Sequence, residues 1–340
     1  MPRMDVGSAI APAFQHMTKV LFKPFQMLKW LALGFVSIFA GGGGGSGNFR
    51  LPGNYDHGGG GGNPWPGFER WIEHFWPILV IGVLFAIALG FVLMWLISVF
   101  HFVYLNDVAR NSGAIREPFH RLRKLGTSLF LWNLVYGFLF LLLLGVLVAA
   151  PLLTVFVIAR DIGTAAQVAA VVWAVLVGIS MILLACVIDV FVRHFVSAAM
   201  YVRGVGILEG WRIILPVLRA NVGQVILYIL LLIAFGIGIG IVSVIVALIT
   251  MLIFAIPFGG IALVGYLIGK ALGLTLSVPV IAVISTYAFV VMLIYAYAVN
   301  CLLQPAVVFL RAFSLVVIGQ ADPSLATIPG AVTQPAPATE

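Results

Sequence analysis

Between Arg219 and Arg311 the chain carries a single charged side chain, Lys270. A helix rising 1.5 Å per residue needs about 20 apolar residues to cross a ~30 Å hydrocarbon core. This run is long enough for two crossings and a connector. Similar apolar stretches occur upstream, so the sequence predicts six spans, near 25–40, 77–102, 128–158, 165–192, 225–254 and 279–309. The first is the shortest and crosses only if Lys29 extends its stem back to the interface. The expected fold is all-α: a polytopic transmembrane helical bundle of about six spans plus amphipathic interfacial helices. Residues 1–313 form a single transmembrane domain, and 314–340, with Pro323, Pro329, Pro335 and Pro337, read as a disordered C-terminal tail.

Only 9% of the residues are charged, against about 25% in a soluble domain, and the spans leave no room for a separate soluble domain. The pI near 9.6 would suit nucleic acid, but the basic residues border apolar stretches. They point instead to anionic lipid headgroups and to orientation signals, with no nucleic acid. With both termini cytoplasmic, only Arg50, Arg70, Arg160 and Lys270 of the 18 basic residues fall outside the cytoplasmic segments, as the positive-inside rule requires. The N-terminal apolar stretch is interrupted by Pro24 and Lys29, so no cleavable leader is expected.

Low complexity marks 41–67, where Gly41–Gly45 and Gly58–Gly62 frame a flexible extracytoplasmic loop. A phosphate-binding loop would need a preceding strand and a following Lys-Ser/Thr, and neither is present. Pro257 with Gly259 and Gly260 is expected to end the fifth helix, leaving 255–278 as a connector with an interfacial or re-entrant helix. Gly236, Gly238 and Gly240, and the face shared by Gly265, Gly269 and Gly273, suit close helix approach.

Three amphipathic segments, 8–24, 104–126 and 203–220, belong to the cytoplasmic face. In the first, Ile10, Phe14, Met17 and Leu21 make one stripe, which suits a helix lying among headgroups. The basic residues Arg110, Arg116, Arg121, Arg123, Lys124, Arg203, Arg212 and Arg219 form a belt for anionic lipid or a partner, or simply an orientation signal on a solvated face. Within the membrane, Asp189 and Arg193 stand four apart with His194 following, a spacing that fits either an intrahelical ion pair or a proton relay. Asn300 and Gln304 fit interhelical hydrogen bonds, and Pro305 frees a carbonyl one turn earlier.

Catalytic chemistry finds no foothold. The eleven acids mostly flank spans singly, and no G-x-S-x-G or H-E-x-x-H occurs. Glu69, Glu73 and His74 are the densest ligand group, needing Asp56 or His57 to close a metal site; an ordinary interfacial turn explains them as well. The isolated Cys186 and Cys301 offer neither a disulfide framework nor metal spacing. No catalytic residue, metal or cofactor is expected.

Several short stretches carry a likeness. They are Phe22-Lys23-Pro24-Phe25 with Lys29-Trp30, the glycine loop, Arg116-Glu117-Pro118-Phe119 leading to Ser128-Leu129-Phe130-Leu131-Trp132, Arg203-Gly204 with Trp211-Arg212, and Pro305 followed by Phe309 to Leu315. Together they resemble a poorly characterised family of glycine-rich polytopic bacterial inner-membrane proteins. That family in turn resembles the membrane domain of glycerophosphoryl diester phosphodiesterases. The resemblance implies a membrane bundle in a bacterial inner membrane and no catalysis, since the phosphodiesterase chemistry belongs to a separate soluble domain. An acidic residue common before the third span is replaced here by Lys124-Leu125-Gly126. The expected function is that of a non-enzymatic membrane protein organising lipid or a partner, either another protein or its own copies. The alternative is a transporter or channel with a polar path between the fourth and sixth spans, beside Asp189, Asn300 and Gln304.

Overall fold

The computed structural model describes residues 4–40, 68–158, 163–273 and 278–328. The glycine-rich loop lies outside them. The elements are α1 (Ile10–Phe22), α2 (Met27–Phe39), α3 (Phe68–Arg110), α4 (Arg116–Leu144), α5 (Ala150–Leu153), α6 (Thr164–Phe191), α7 (Ser197–Arg203), α8 (Ile207–Ala220), α9 (Val222–Ala271), α10 (Val278–Leu302) and α11 (Gln304–Ala321), with no strand among the described residues. Five-residue π-helical turns join α4 to α5, follow α5, and join α6 to α7.

Among the described residues, six helices are long and apolar enough to cross a membrane, so the chain has the architecture of a multi-pass membrane protein. Their membership differs from expectation. The first apolar stretch becomes α2, whose 13 residues extend only about 20 Å. The sixth qualifying helix is α11, and it is a core helix: 78% of its most apolar window is buried, against 0–11% in the other five. Those five turn large apolar side chains outward, as with Phe138, Leu183 and Leu252, and such surface needs lipid as its solvent.

The buried core gathers at one end as a compact head. The apolar stripe of α1 (Ala13, Met17, Val20, Leu21) lies on α11, and Val99 to Val108 of α3, Phe195 to Met200, Ile214 of α8 and Tyr228 of α9 close around them. This corrects two expectations. Of the expected stripe, Met17 and Leu21 are covered by protein rather than headgroups, Ile10 is half-buried and Phe14 stays 57% exposed. The boundary at 313/314 falls inside α11, because Ser314 to Ala321 are buried and helical and Leu325 and Ile328 are buried after them; only 329–340 of the expected tail lie outside the described residues. Gln320 Nε2 donates to Ser8 Oγ (3.2 Å), so both ends of the described chain sit on the head side.

Pro257 does not end its helix: α9 runs 50 residues through it, about 75 Å. In hydrocarbon a broken helix exposes several backbone groups, whereas a proline removes one hydrogen bond. Two other prolines find external partners for the carbonyl they strand. Pro151 leaves Leu147 O to the indole N–H of Trp173 (3.0 Å). Pro305, at the α10–α11 break, leaves Cys301 O to the indole N–H of Trp30 (2.8 Å). The close helix crossings also lie elsewhere than expected. A Cβ on Gly126 would stand 2.5 to 2.9 Å from Val99 Cγ2, Cα and N, and one on Gly34 would collide with the Cys301 sulfur, whereas Gly236, Gly238, Gly240 and Gly265 have nothing within 4 Å.

Candidate functional site

The C-terminal end of α3, the second turn of α4 and the end of α7 meet at the surface of the head around an open cleft of about 620 Å³. Arg110, Arg121, Lys124 and Arg203 border it, with Tyr201 and Thr327. All four cations belong to the basic belt, but no sequence spacing links Arg203 to the other three. Asn106, 2% exposed, braces the wall: its Oδ1 accepts from Arg121 Nη2 (2.7 Å) and from Tyr201 OH (3.0 Å). Arg203 Nη2 donates to Ser324 Oγ (2.7 Å), whose own proton goes to Asp322 Oδ1 (2.6 Å). The ion pairs among the described residues are Arg193–Asp189 and Arg212–Glu209, so none of the four cleft cations has a carboxylate within pairing distance there. Arg116, Arg123, Arg212 and Arg219 are exposed elsewhere on the head, and Arg212 lies 3.6 Å from Glu209.

The intramembrane candidates divide. Arg193 Nε donates to Asp189 Oδ1 at 2.7 Å, and both side chains are about half exposed. His194, on the π turn Val192–Val196, takes no part in that pair; its Nδ1 lies 2.9 Å from Tyr228 OH. That turn also presents two carbonyls to α11: Arg193 O accepts from Arg311 Nη1 (2.8 Å) and His194 O from Ser314 Oγ (2.7 Å). Arg311 Nη2 meets His101 Nδ1 at 3.1 Å. Asn300 and Gln304 belong to another node. Asn300 Nδ2 donates to Gly34 O and Ser37 Oγ (both 2.7 Å), Gln304 Nε2 donates to Ser37 Oγ (2.5 Å), and Tyr104 OH donates to Gln304 Oε1 (3.4 Å). This node locks α2 to α10 and α11. Among the described residues, Asp189 pairs with Arg193, and no hydrogen bond joins it directly to this node. The side chains of Glu69, Glu73 and His74, and the loop residues Asp56 and His57, lie outside what the structure describes.

A family model described as a family of unknown function, DUF7544, matches residues 4–328. The chain belongs to the DUF7544 family. No curated protein and no solved structure matches it, so the likeness to the phosphodiesterase membrane domain has no named counterpart. The DUF7544 match takes in the whole head, from the segment before α1 to the turn after α11.

In the DUF7544 chain the sequence reading overlooked the residues that brace these sites. Asn106 and Tyr201 shape the cleft wall; Arg311, counted only as an orientation signal, is 6% exposed at the centre of the head. The available clue was position. Asn106 and Asp107 interrupt the apolar run of α3 before Arg110, and Arg311 interrupts an apolar run without a neighbouring acid.

Proposed function

We propose that this protein is a non-enzymatic multi-pass membrane protein that gathers anionic lipid, or an acidic partner, against the basic face of its head. Under the positive-inside rule that face is the cytoplasmic side of a bacterial inner membrane, with both termini there. The observation that carries the reading is placement. The belt from Arg110 to Lys124 and from Arg203 to Arg219 is exposed on the head, at the foot of helices whose outer surfaces are apolar. Each Lys or Arg near an anionic surface contributes about 1 kcal/mol, and α8 adds an amphipathic helix with Leu208 and Arg212 both exposed.

Native mass spectrometry after extraction in mild detergent tests this. Wild-type protein is expected to retain anionic phospholipid or an acidic polypeptide. Alanine at Arg116, Arg121, Arg123 and Lys124 together is expected to strip most of it. Unchanged retention by a correctly inserted quadruple variant would refute the reading.

A further inference from the structure

We propose that the cleft bordered by Arg110, Arg121, Lys124 and Arg203 is a single-occupancy site for the phosphate of an amphipathic phosphoester, with its acyl chain along α4. The inference deepens the reading above and rests on it: a diffuse basic face attracts many headgroups, whereas this cleft fixes one.

Three observations converge. First, four cations from three helices share one cleft without an ion-paired carboxylate among the described residues. Like charges gathered this way repel, and a phosphate relieves the repulsion while taking several charge-assisted hydrogen bonds. Arg110 and Arg203 also sit in the last turns of their helices, where a cation compensates the carbonyl end of the dipole. Arg121 and Lys124, inside α4, have no such second role. Second, the cleft is braced before any ligand arrives. Asn106 holds Arg121 by one guanidinium nitrogen and Ser324 holds Arg203 by another, leaving the remaining donors of each fork available.

Third, an apolar track runs along α4 from two turns, about 10 Å, beyond Lys124. Leu131, Val135, Phe138 and Leu142 follow Lys124 at helical spacing on the same face of α4, and they are 52%, 56%, 66% and 55% exposed. From Lys124 to Leu142 the helix rises about 27 Å. A headgroup held at Lys124 therefore has its chain alongside exposed hydrocarbon. Free phosphate would use the cations but leave this track unused.

The experiment compares Arg121→Gln/Arg203→Gln in the cleft with Lys19→Gln/Lys23→Gln, exposed at the end of α1 outside both the cleft and the belt. Delipidated full-length protein in detergent is titrated with phosphatidylglycerol and read by native mass spectrometry. One tightly held lipid per chain is expected. Its affinity should fall roughly 25-fold in the cleft variant, about fivefold for each charge of ~1 kcal/mol, and change less than twofold in the other. Arg121→Lys, which keeps the charge but not the fork, should lose less than a single Arg121→Gln measured beside it; equal losses would show a structural effect and overturn the site.

Equal losses in both double variants would overturn the cleft while leaving the general lipid-gathering reading in place. No loss in either would overturn both. A parallel arm adds inorganic phosphate alone: failure of millimolar phosphate to displace the lipid supports the acyl track, and full displacement overturns it in favour of a soluble phosphate.

Discussion

Replacing Gly126 by alanine isolates the crossing of α3 and α4. The new Cβ would stand 2.5 Å from Val99 Cγ2, 2.6 Å from its Cα and 2.9 Å from its N. A side-chain tip can rotate away, but a Cα and a backbone nitrogen move only if the helices part. Overpacking of this kind costs about 1–3 kcal/mol. Alanine recovers about 0.5–1 kcal/mol over glycine inside a helix, so the net loss is up to about 2.5 kcal/mol and centres on ~1 kcal/mol. Gly137 supplies the control. It lies about three turns further along α4, and a Cβ there would meet nothing within 4 Å, so Gly137→Ala keeps the propensity gain alone. Unfolding in mixed micelles by sodium dodecyl sulfate, followed by tryptophan fluorescence, measures both. Trp95, whose indole donates to Thr127 Oγ1 at 3.0 Å, reports beside the crossing. The Gly126→Ala midpoint should fall while the Gly137→Ala midpoint holds or rises; equal midpoints would refute the packing argument.

Trp173→Phe removes the donor to Leu147 O and should cost about 0.6–1.7 kcal/mol, the range for hydrogen bonds inside membranes. In Pro151→Ala the restored N–H supplies that carbonyl from within the helix, so the double variant should lose less than the sum of the singles; strict additivity in the same titration would contradict the capping account. His16 is buried, and its Nε2 donates to Val108 O at 2.8 Å. Burial, the largest cause, holds its pKa below the ordinary 6.5. The unfolded chain therefore binds the proton first, and the stability from neutral His16 is full above about pH 6.5 and lost as pH falls towards the folded value. Thermal unfolding at pH 7.5 and 5.5 should show a drop that His16→Gln reduces, and an identical drop in the variant would exclude His16 as its source.

The long apolar helices were legible because hydrocarbon imposes its own length and composition. The partners of amphipathic segments were not. The stripe of α1 announces a buried face, yet nothing in its period distinguishes headgroups from α11 as the cover. Glycine misled in the same way: clusters drew attention at 236–240 and 265–273, while isolated Gly34 and Gly126 mark the tight crossings, which depend on what stands opposite. Arg110, Arg121 and Lys124 were visible as one basic run. Their meeting with Arg203 follows from α7 packing against α3, a pairing no local spacing encodes.

The central helix of the head, α11, also follows in sequence every α-helix it packs against. Chains emerge from the ribosome N-terminus first, so α1 leaves with its apolar stripe uncovered and keeps it so through the synthesis of α2 to α10. Closure of the head therefore waits until α11 has been made.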